Sequence, residues 1–139
     1  MMAMLQQATC VAIGGRAVLI EGEPGVGKSS LALALIDRGA KLVGDDGVLL
    51  AAEADILTAS PAPATKGLIE VRNLGLVPMD AVGAVPVALL IALDRNAPRY
   101  RERPEMIERN GVSIPCISLW PDSPVLALRA EWALKLYGL

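Results

Sequence analysis

Apolar residues fall into two kinds of run along this chain: short and unbroken, or spaced by three and four. The unbroken kind opens the sequence. Residues 10–13 (CVAI) and 17–21 (AVLIE) read as two strands joined at Gly14-Gly15. That pair can take the φ > 0 angles of a short hairpin. The rhythm changes over 28–38, where Leu31 and Leu35, with Ala32 and Ile36, make an i, i+4 apolar face. This spacing predicts a helix, which Gly39 ends. Residues 41–44 form a short strand closed by Asp45-Asp46, and 48–52 with 56–59 form a hairpin across Glu53-Ala54-Asp55. Residues 60–67 (SPAPATKG) read as a loop by composition. A strand follows at 68–71 and a short helix at 79–82. Residues 85–93 are the strongest buried strand, 94–104 a basic, Pro-containing loop, and 112–119 a further strand. Ser123 is placed to cap a last helix with Pro124 at its first position, running to about Leu136. No repeat, low-complexity tract or long linker divides the chain. The pattern predicts one α/β domain over residues 1–139, with a central mixed sheet, a helix after the glycine-rich loop and a C-terminal helix.

Composition narrows the chemistry. A length of 139 residues suits one domain with a real core. A net charge of −2 leaves no basic footprint for nucleic acid, so none is expected as partner. Mean hydropathy is +0.46, high for a chain without a membrane span. The longest apolar run, 84–93, falls short of the ~18 residues a span needs, so no membrane insertion is expected. The excess is largely Ala and Val; it belongs either to an Ala-rich core or to apolar surface buried between subunits. Cys10 and Cys116 form no CxxC or ligand cluster and read as reduced packing residues. With no signal-peptide pattern, the expected compartment is the cytoplasm. The chain has no histidine, which excludes Ser-His-Asp and Cys-His catalysis and any His-ligated metal.

The glycine-rich stretch Gly22-Glu23-Pro24-Gly25-Val26-Gly27-Lys28-Ser29, followed by Ser30, matches G-x-x-x-x-G-K-[ST] without a mismatch. Glycines let backbone N–H groups turn inward around phosphates. Lys28 reaches the β- and γ-phosphate oxygens, Ser29 offers its hydroxyl to Mg²⁺, and the next helix adds its positive end. The flanking strand and helix supply the context the motif needs. Glu23 fits only as a carboxylate turned outward.

Two further pieces follow. Asp45 and Asp46 stand at the end of an apolar strand, where one carboxylate can hold the shell of Mg²⁺ and the other take the proton of an attacking hydroxyl. Asp45-Asp46-Gly47 also reads as a plain turn. Glu70 and Arg72, two apart, point the same way on a strand. They read as a surface ion pair or as a metal carboxylate beside a phosphate-binding guanidinium.

Taken together, GEPGVGKSSLALALIDRGAKLVGDD and then GLIEVRNLG resemble HPr kinase/phosphorylase, in the short form that consists of the catalytic domain alone. The likeness is close over roughly residues 8–93 and loose in the last third. It implies a kinase that uses Mg-ATP to phosphorylate a serine of HPr, the carrier protein of the phosphotransferase system. It also implies removal of that phosphate by phosphorolysis. By the same resemblance Lys28 and Ser29 hold phosphate and Mg²⁺, and one of Asp45 and Asp46 is the base. Asp46 and Glu70 are metal ligands with Ser29, and Arg72 contacts phosphate. One of Arg95, Arg99, Arg101 and Arg103, or more weakly Arg129, would match a family arginine near the transferred phosphate. Family members form hexamers, which would account for the apolar excess. The sequence departs from the pattern at Gln7 and Ala40, where the family commonly has histidine. Other departures are Pro24, Ser30 and Asn73, where Ser, an acidic residue and Gly are usual. Two rival readings remain: a nucleotide-binding regulatory module without turnover, and a P-loop kinase of a small molecule.

Overall fold

The computed structural model describes residues 3–139. Among them the elements are β1 (Met4–Gln6), β2 (Thr9–Ile13), β3 (Arg16–Glu21), α1 (Lys28–Asp37), β4 (Lys41–Gly44), β5 (Val48–Glu53), β6 (Ile56–Pro61), β7 (Leu68–Val71), β8 (Gly75–Pro78), β9 (Val85–Leu93), β10 (Glu105–Arg109), β11 (Val112–Leu119) and α2 (Leu126–Tyr137). A mixed sheet runs in the order β1-β5-β6-β9-β3-β2-β4, with β11 on the far half of β9 and β10 beyond it. β3, β9 and β11 are mutually parallel, and β7-β8 is a separate hairpin.

Both faces of the central strands are buried, and this explains the unbroken apolar runs. In β3, Val18 and Ile20 join α1 and α2 in one core, while Ala17 and Leu19 face a second core enclosed by β5 and β6. Strand alternation delivers this split as long as the register holds. It slips once, between Ala17 and Val18, where the partners on β9 jump from Val87 to Leu89. Ala88 is the extra residue, so Ala88 and Leu89 both lie on the helix side. Two-sided burial of Ala, Val, Leu and Ile absorbs much of the high hydropathy.

The hairpins fall where the sequence places them. Gly14 and Gly15 have φ of 56° and 81°, and Ala54-Asp55 turns β5 into β6 with φ of 52° and 63°. α1 ends at Asp37, with Arg38 as its C-cap and Gly39 at φ 111°. Three expectations need correction. Residues 79–82 are not a helix: Ala81 bridges to Leu42 alongside β4, and the Val82 N–H donates to the Leu42 carbonyl at 2.9 Å. Pairing with an available strand edge outweighed a weak local helix tendency. Ser123 does not cap α2 directly: the helix starts at Leu126 with Val125 as N-cap and no side-chain cap. The Ser123 hydroxyl instead accepts from Val125 N–H at 3.2 Å, so it shapes the turn before the helix. β6 extends to Pro61, into the stretch read as loop. β1, β8 and β10 are additional strands, the first two short and all three largely exposed.

Candidate functional site

The site forms where β3 runs into the glycine-rich loop. Gly22 fits because no side chain does: a Cβ there would stand 2.8 Å from Val26 Cγ1 and 3.1 Å from the Leu93 carbonyl oxygen. Gly25 and Gly27 take φ of 81° and 114°, and Gly27 is the N-cap of α1, with no side-chain cap. The first amides of α1 are thus left open toward the loop. Lys28 Nζ donates to the Gly22 carbonyl at 2.9 Å, folding its ammonium across the loop. Val26 is buried beneath, so the loop rests on the helix-side core.

The second component is the end of β4. A Cβ on Gly44 would stand 2.6 Å from Val48 Cγ1, so only glycine lets the chain double back at this point. The fold-back continues through Asp46 at φ 57°, a conformation Asp tolerates better than most residues. The two aspartates are thereby parted. Asp45 is buried and Asp46 exposed. Asp45 Oδ1 accepts from Ser29 Oγ at 2.6 Å and from Thr9 Oγ1 at 3.0 Å, and its Oδ2 accepts from the Glu70 N–H at 2.8 Å. Thr9 Oγ1 in turn accepts from the Asp46 N–H at 3.3 Å. One carboxylate therefore ties β2, the phosphate loop and the β7-β8 hairpin together.

That hairpin brings the third component. Glu70 sits on β7 and Arg72 just past it, with Arg72 Nε 3.8 Å from Glu70 Oε1 and both side chains more than half exposed. Such a pair contributes about 0–1 kcal/mol to stability. It is better placed for a ligand, because Arg72 Nη2 lies 3.9 Å from where a Cβ on Gly25 would stand.

These residues line one cleft of about 480 Å³: Gly22, Pro24, Gly25, Gly27, Lys28, Ser29, Ser30, Asp45, Asp46, Glu70 and Arg72 all border it. Glu23 is exposed and Val26 buried, and neither borders the cleft. Four bordering residues, Thr9, Thr65, Leu68 and Leu76, had not been singled out, and Gln7 borders it too. Thr9 carried a readable signal, a hydroxyl at the head of an apolar strand; it is fully buried. The basic loop goes elsewhere. Arg95 pairs with Asp122, Arg101 with Glu105, and Arg99 and Arg129 border a separate recess. Neither these four arginines nor Arg103 borders the phosphate-loop cleft.

The donor set suits a polyphosphate with a hard cation. Ser29, Asp45, Asp46 and Glu70 offer oxygen ligands only, the kind Mg²⁺ takes. Among the described residues no three acidic or cysteine side chains cluster as a metal cage. Mg²⁺ needs none, since it uses one or two carboxylates with phosphate and water. Neither cysteine contributes. Burial pushes the Cys10 thiol far above its ordinary range. Cys116 is pushed up by burial first, then by Glu105 and Glu21.

Known proteins are similar to this chain in sequence and in fold. HPr kinase/phosphorylases of Streptococcus pneumoniae strains Hungary19A-6 and D39 are each 37% identical over 120 residues. The alignment takes in 77% of this chain but only 39% of each relative, so the chain spans well under half the length of the curated relatives it matches. The solved HPr(Ser) kinase/phosphatase of Coxiella burnetii superposes with a TM-score of 0.84 at 29% identity, covering 95% of this chain and 94% of that one. The family model of the HPr serine kinase C-terminal domain matches residues 2–88. That match takes in more than half of the sequence, and the chain belongs to the HPr serine kinase C-terminal domain family.

Proposed function

We propose that this chain is an ATP-dependent protein serine kinase domain whose acceptor is HPr, the phosphocarrier protein of the phosphotransferase system. One observation carries the reading. Asp45 is buried and accepts from Ser29, Thr9 and the Glu70 amide, whereas Asp46 is exposed where it borders the cleft. The roles then divide. Lys28 and the loop amides hold the triphosphate, and Arg72 faces them across Gly25. Ser29 and Glu70 would hold Mg²⁺, with Asp46 reaching it through water, and the ion would neutralise charge on the phosphate oxygens. The acceptor serine Oγ attacks the γ-phosphorus, its proton passes to Asp46, and the bond to the β-phosphate oxygen breaks. Lys28 and Arg72 stabilise the charge that collects on the leaving diphosphate.

The reverse reaction, phosphorolysis of phosphoserine by inorganic phosphate with release of pyrophosphate, belongs to the same proposal. Gln7 borders the cleft but carries an amide, which transfers no proton at neutral pH. Protonated Asp46 is then the acid in that direction. The reading places the chain in the cytoplasm as one catalytic domain, assembled as a homo-oligomer and, by the family resemblance, a hexamer. Val125, Leu128, Trp132 and Leu136 support assembly: they lie exposed at helical spacing along α2. No helix among the described residues is long and apolar enough to cross a membrane.

The test is incubation with HPr and Mg-ATP, then with inorganic phosphate, following HPr by intact mass. One phosphoryl group gained on a serine is the expected result. Unmodified HPr with normal ATP binding overturns the kinase reading in favour of a regulatory module. ATP consumption with a small metabolite in place of HPr would favour a small-molecule kinase.

A further inference from the structure

The phosphate-loop cleft is furnished for phosphates and metal, and no aromatic ring borders it. Asp45 and Asp46 follow β4, on the β2 side of β3. A nucleotide with its phosphates in the loop after β3 has room to extend its base toward the other neighbours, β9 and then β11. These three strands are parallel, so their C-terminal ends meet at one edge, where open α/β sheets bind ligands. The path along that edge is continuous. Gly22 packs on Leu93, the Asp94 N–H donates to the Leu119 carbonyl at 3.0 Å, and Trp120 follows. Two strand spacings amount to about 10 Å, the scale of a nucleotide from its β-phosphate to its base.

A second recess, of about 590 Å³, opens there, lined by Pro98, Arg99, Ser118, Leu119, Trp120 and Arg129. Trp120 is fixed and yet 39% exposed. Its Nε1–H donates to the Ala97 carbonyl at 2.6 Å, and the Arg129 guanidinium stands 5.7 Å from its ring centroid. A ring anchored by its N–H, with a guanidinium beside it in the same recess, offers a π surface at little further ordering cost. Arg99 adds a second guanidinium, and among the described residues neither arginine pairs with a carboxylate.

We infer that the recess formed by Arg99, Trp120 and Arg129 is the nucleobase subsite of the phosphate cleft, with Trp120 as its stacking surface. The inference rests on the proposed binding of a nucleotide by the phosphate loop. Stacking is tolerant of base identity, so ATP and GTP bind alike, and bare tripolyphosphate binds more weakly than either.

The test compares Mg-ATP with Mg-tripolyphosphate, by calorimetry and by fluorescence in a Trp132→Phe background that leaves Trp120 as the one tryptophan. ATP is expected to change Trp120 emission, and tripolyphosphate to bind without changing it. Trp120→Leu and, separately, Arg99→Ala should weaken ATP about tenfold while leaving tripolyphosphate affinity unchanged. Arg99 is exposed, so its variant serves even if the Trp120 variant misfolds. An unchanged ratio of the two affinities overturns the inference, as does an equal loss for both ligands, which marks a plain anion site. Lys28→Ala separates the two readings: if it weakens neither ligand, the phosphate-loop reading itself fails.

Discussion

Ser29 Oγ donates to Asp45 Oδ1 at 2.6 Å, across the gap between the phosphate loop and the end of β4. This bond sets the loop against the acid pair and distinguishes two aspartates that are adjacent in sequence. Asp45→Asn keeps an acceptor for Ser29 but turns an amide against the Glu70 N–H. A loss of about 1–3 kcal/mol is expected, with weaker Mg-ATP binding. Asp46→Asn should keep the melting temperature and nucleotide affinity while turnover falls about 10²–10⁴-fold. Thermal melts beside single-turnover rates check this, and equal effects of the two variants on stability would contradict the division.

Gly44 and Gly47 make a second contrast. An added methyl at Gly44 meets the Gly47 carbonyl oxygen first and Val48 Cγ1 at 2.6 Å, whereas at Gly47 its nearest neighbour is Ala62 Cβ at 3.8 Å. Gly44→Ala is expected to cost about 1–3 kcal/mol by overpacking, and Gly47→Ala clearly less. Urea midpoints decide it; equal losses would place the constraint elsewhere in the turn.

Arg109 Nη2 holds Glu21 Oε1 at 2.6 Å, in a pair mostly shielded from solvent, and Gln6 Nε2 also donates to Glu21, at 3.2 Å. Arg109→Met strands the carboxylate next to the phosphate loop. We expect a loss of about 1–3 kcal/mol, largely recovered in the Arg109→Met, Glu21→Gln double variant. A double-mutant cycle without coupling would refute the pairing.

Cys10 gives a pH dependence. Its thiol is raised in the folded state, whereas in the unfolded chain it titrates near about 8.5. The stabilising contribution is therefore complete below that pH and is lost as pH rises above it. Cys10→Ala removes this proton linkage, so above about pH 9 its stability should fall less steeply than the wild type's, by up to about 1.4 kcal/mol per pH unit. Denaturation curves between neutral and alkaline pH measure the slopes, and parallel curves would refute it.

Local sequence revealed some parts of this molecule and hid others for identifiable reasons. The phosphate loop, α1, β9 and the β5-β6 hairpin were legible because each carries its own signal: glycines at positive φ, a change of apolar period, an unbroken buried run. Asp45 and Asp46 were legible as a pair but not as distinct groups. What separates them is Thr9, thirty-six positions away from Asp45, and the Glu70 amide, twenty-five away. β1, β8 and β10 pair at sheet edges or in a hairpin with exposed side chains, so their sequence lacks alternation. Residues 79–82 failed as a helix because the edge of β4 was available to pair with Ala81. The basic stretch 94–104 advertised phosphate contacts, yet Arg95 and Arg101 are taken up by Asp122 and Glu105.

The packing of Gly22 on Leu93 has a thermodynamic consequence. The glycine-rich loop is clasped at its entrance by β9 as well as continuing from β3, and Val26 anchors its middle in the core. Its backbone is therefore ordered by the folding of the protein and not by the arrival of a ligand. The entropy that a floppy loop would surrender on each binding event is already gone, so more of the contact energy with phosphate appears as affinity. A methyl at Gly22 would act by loosening that clasp: tripolyphosphate would bind with a larger unfavourable entropy, and the loss would register in calorimetry before it registered in turnover.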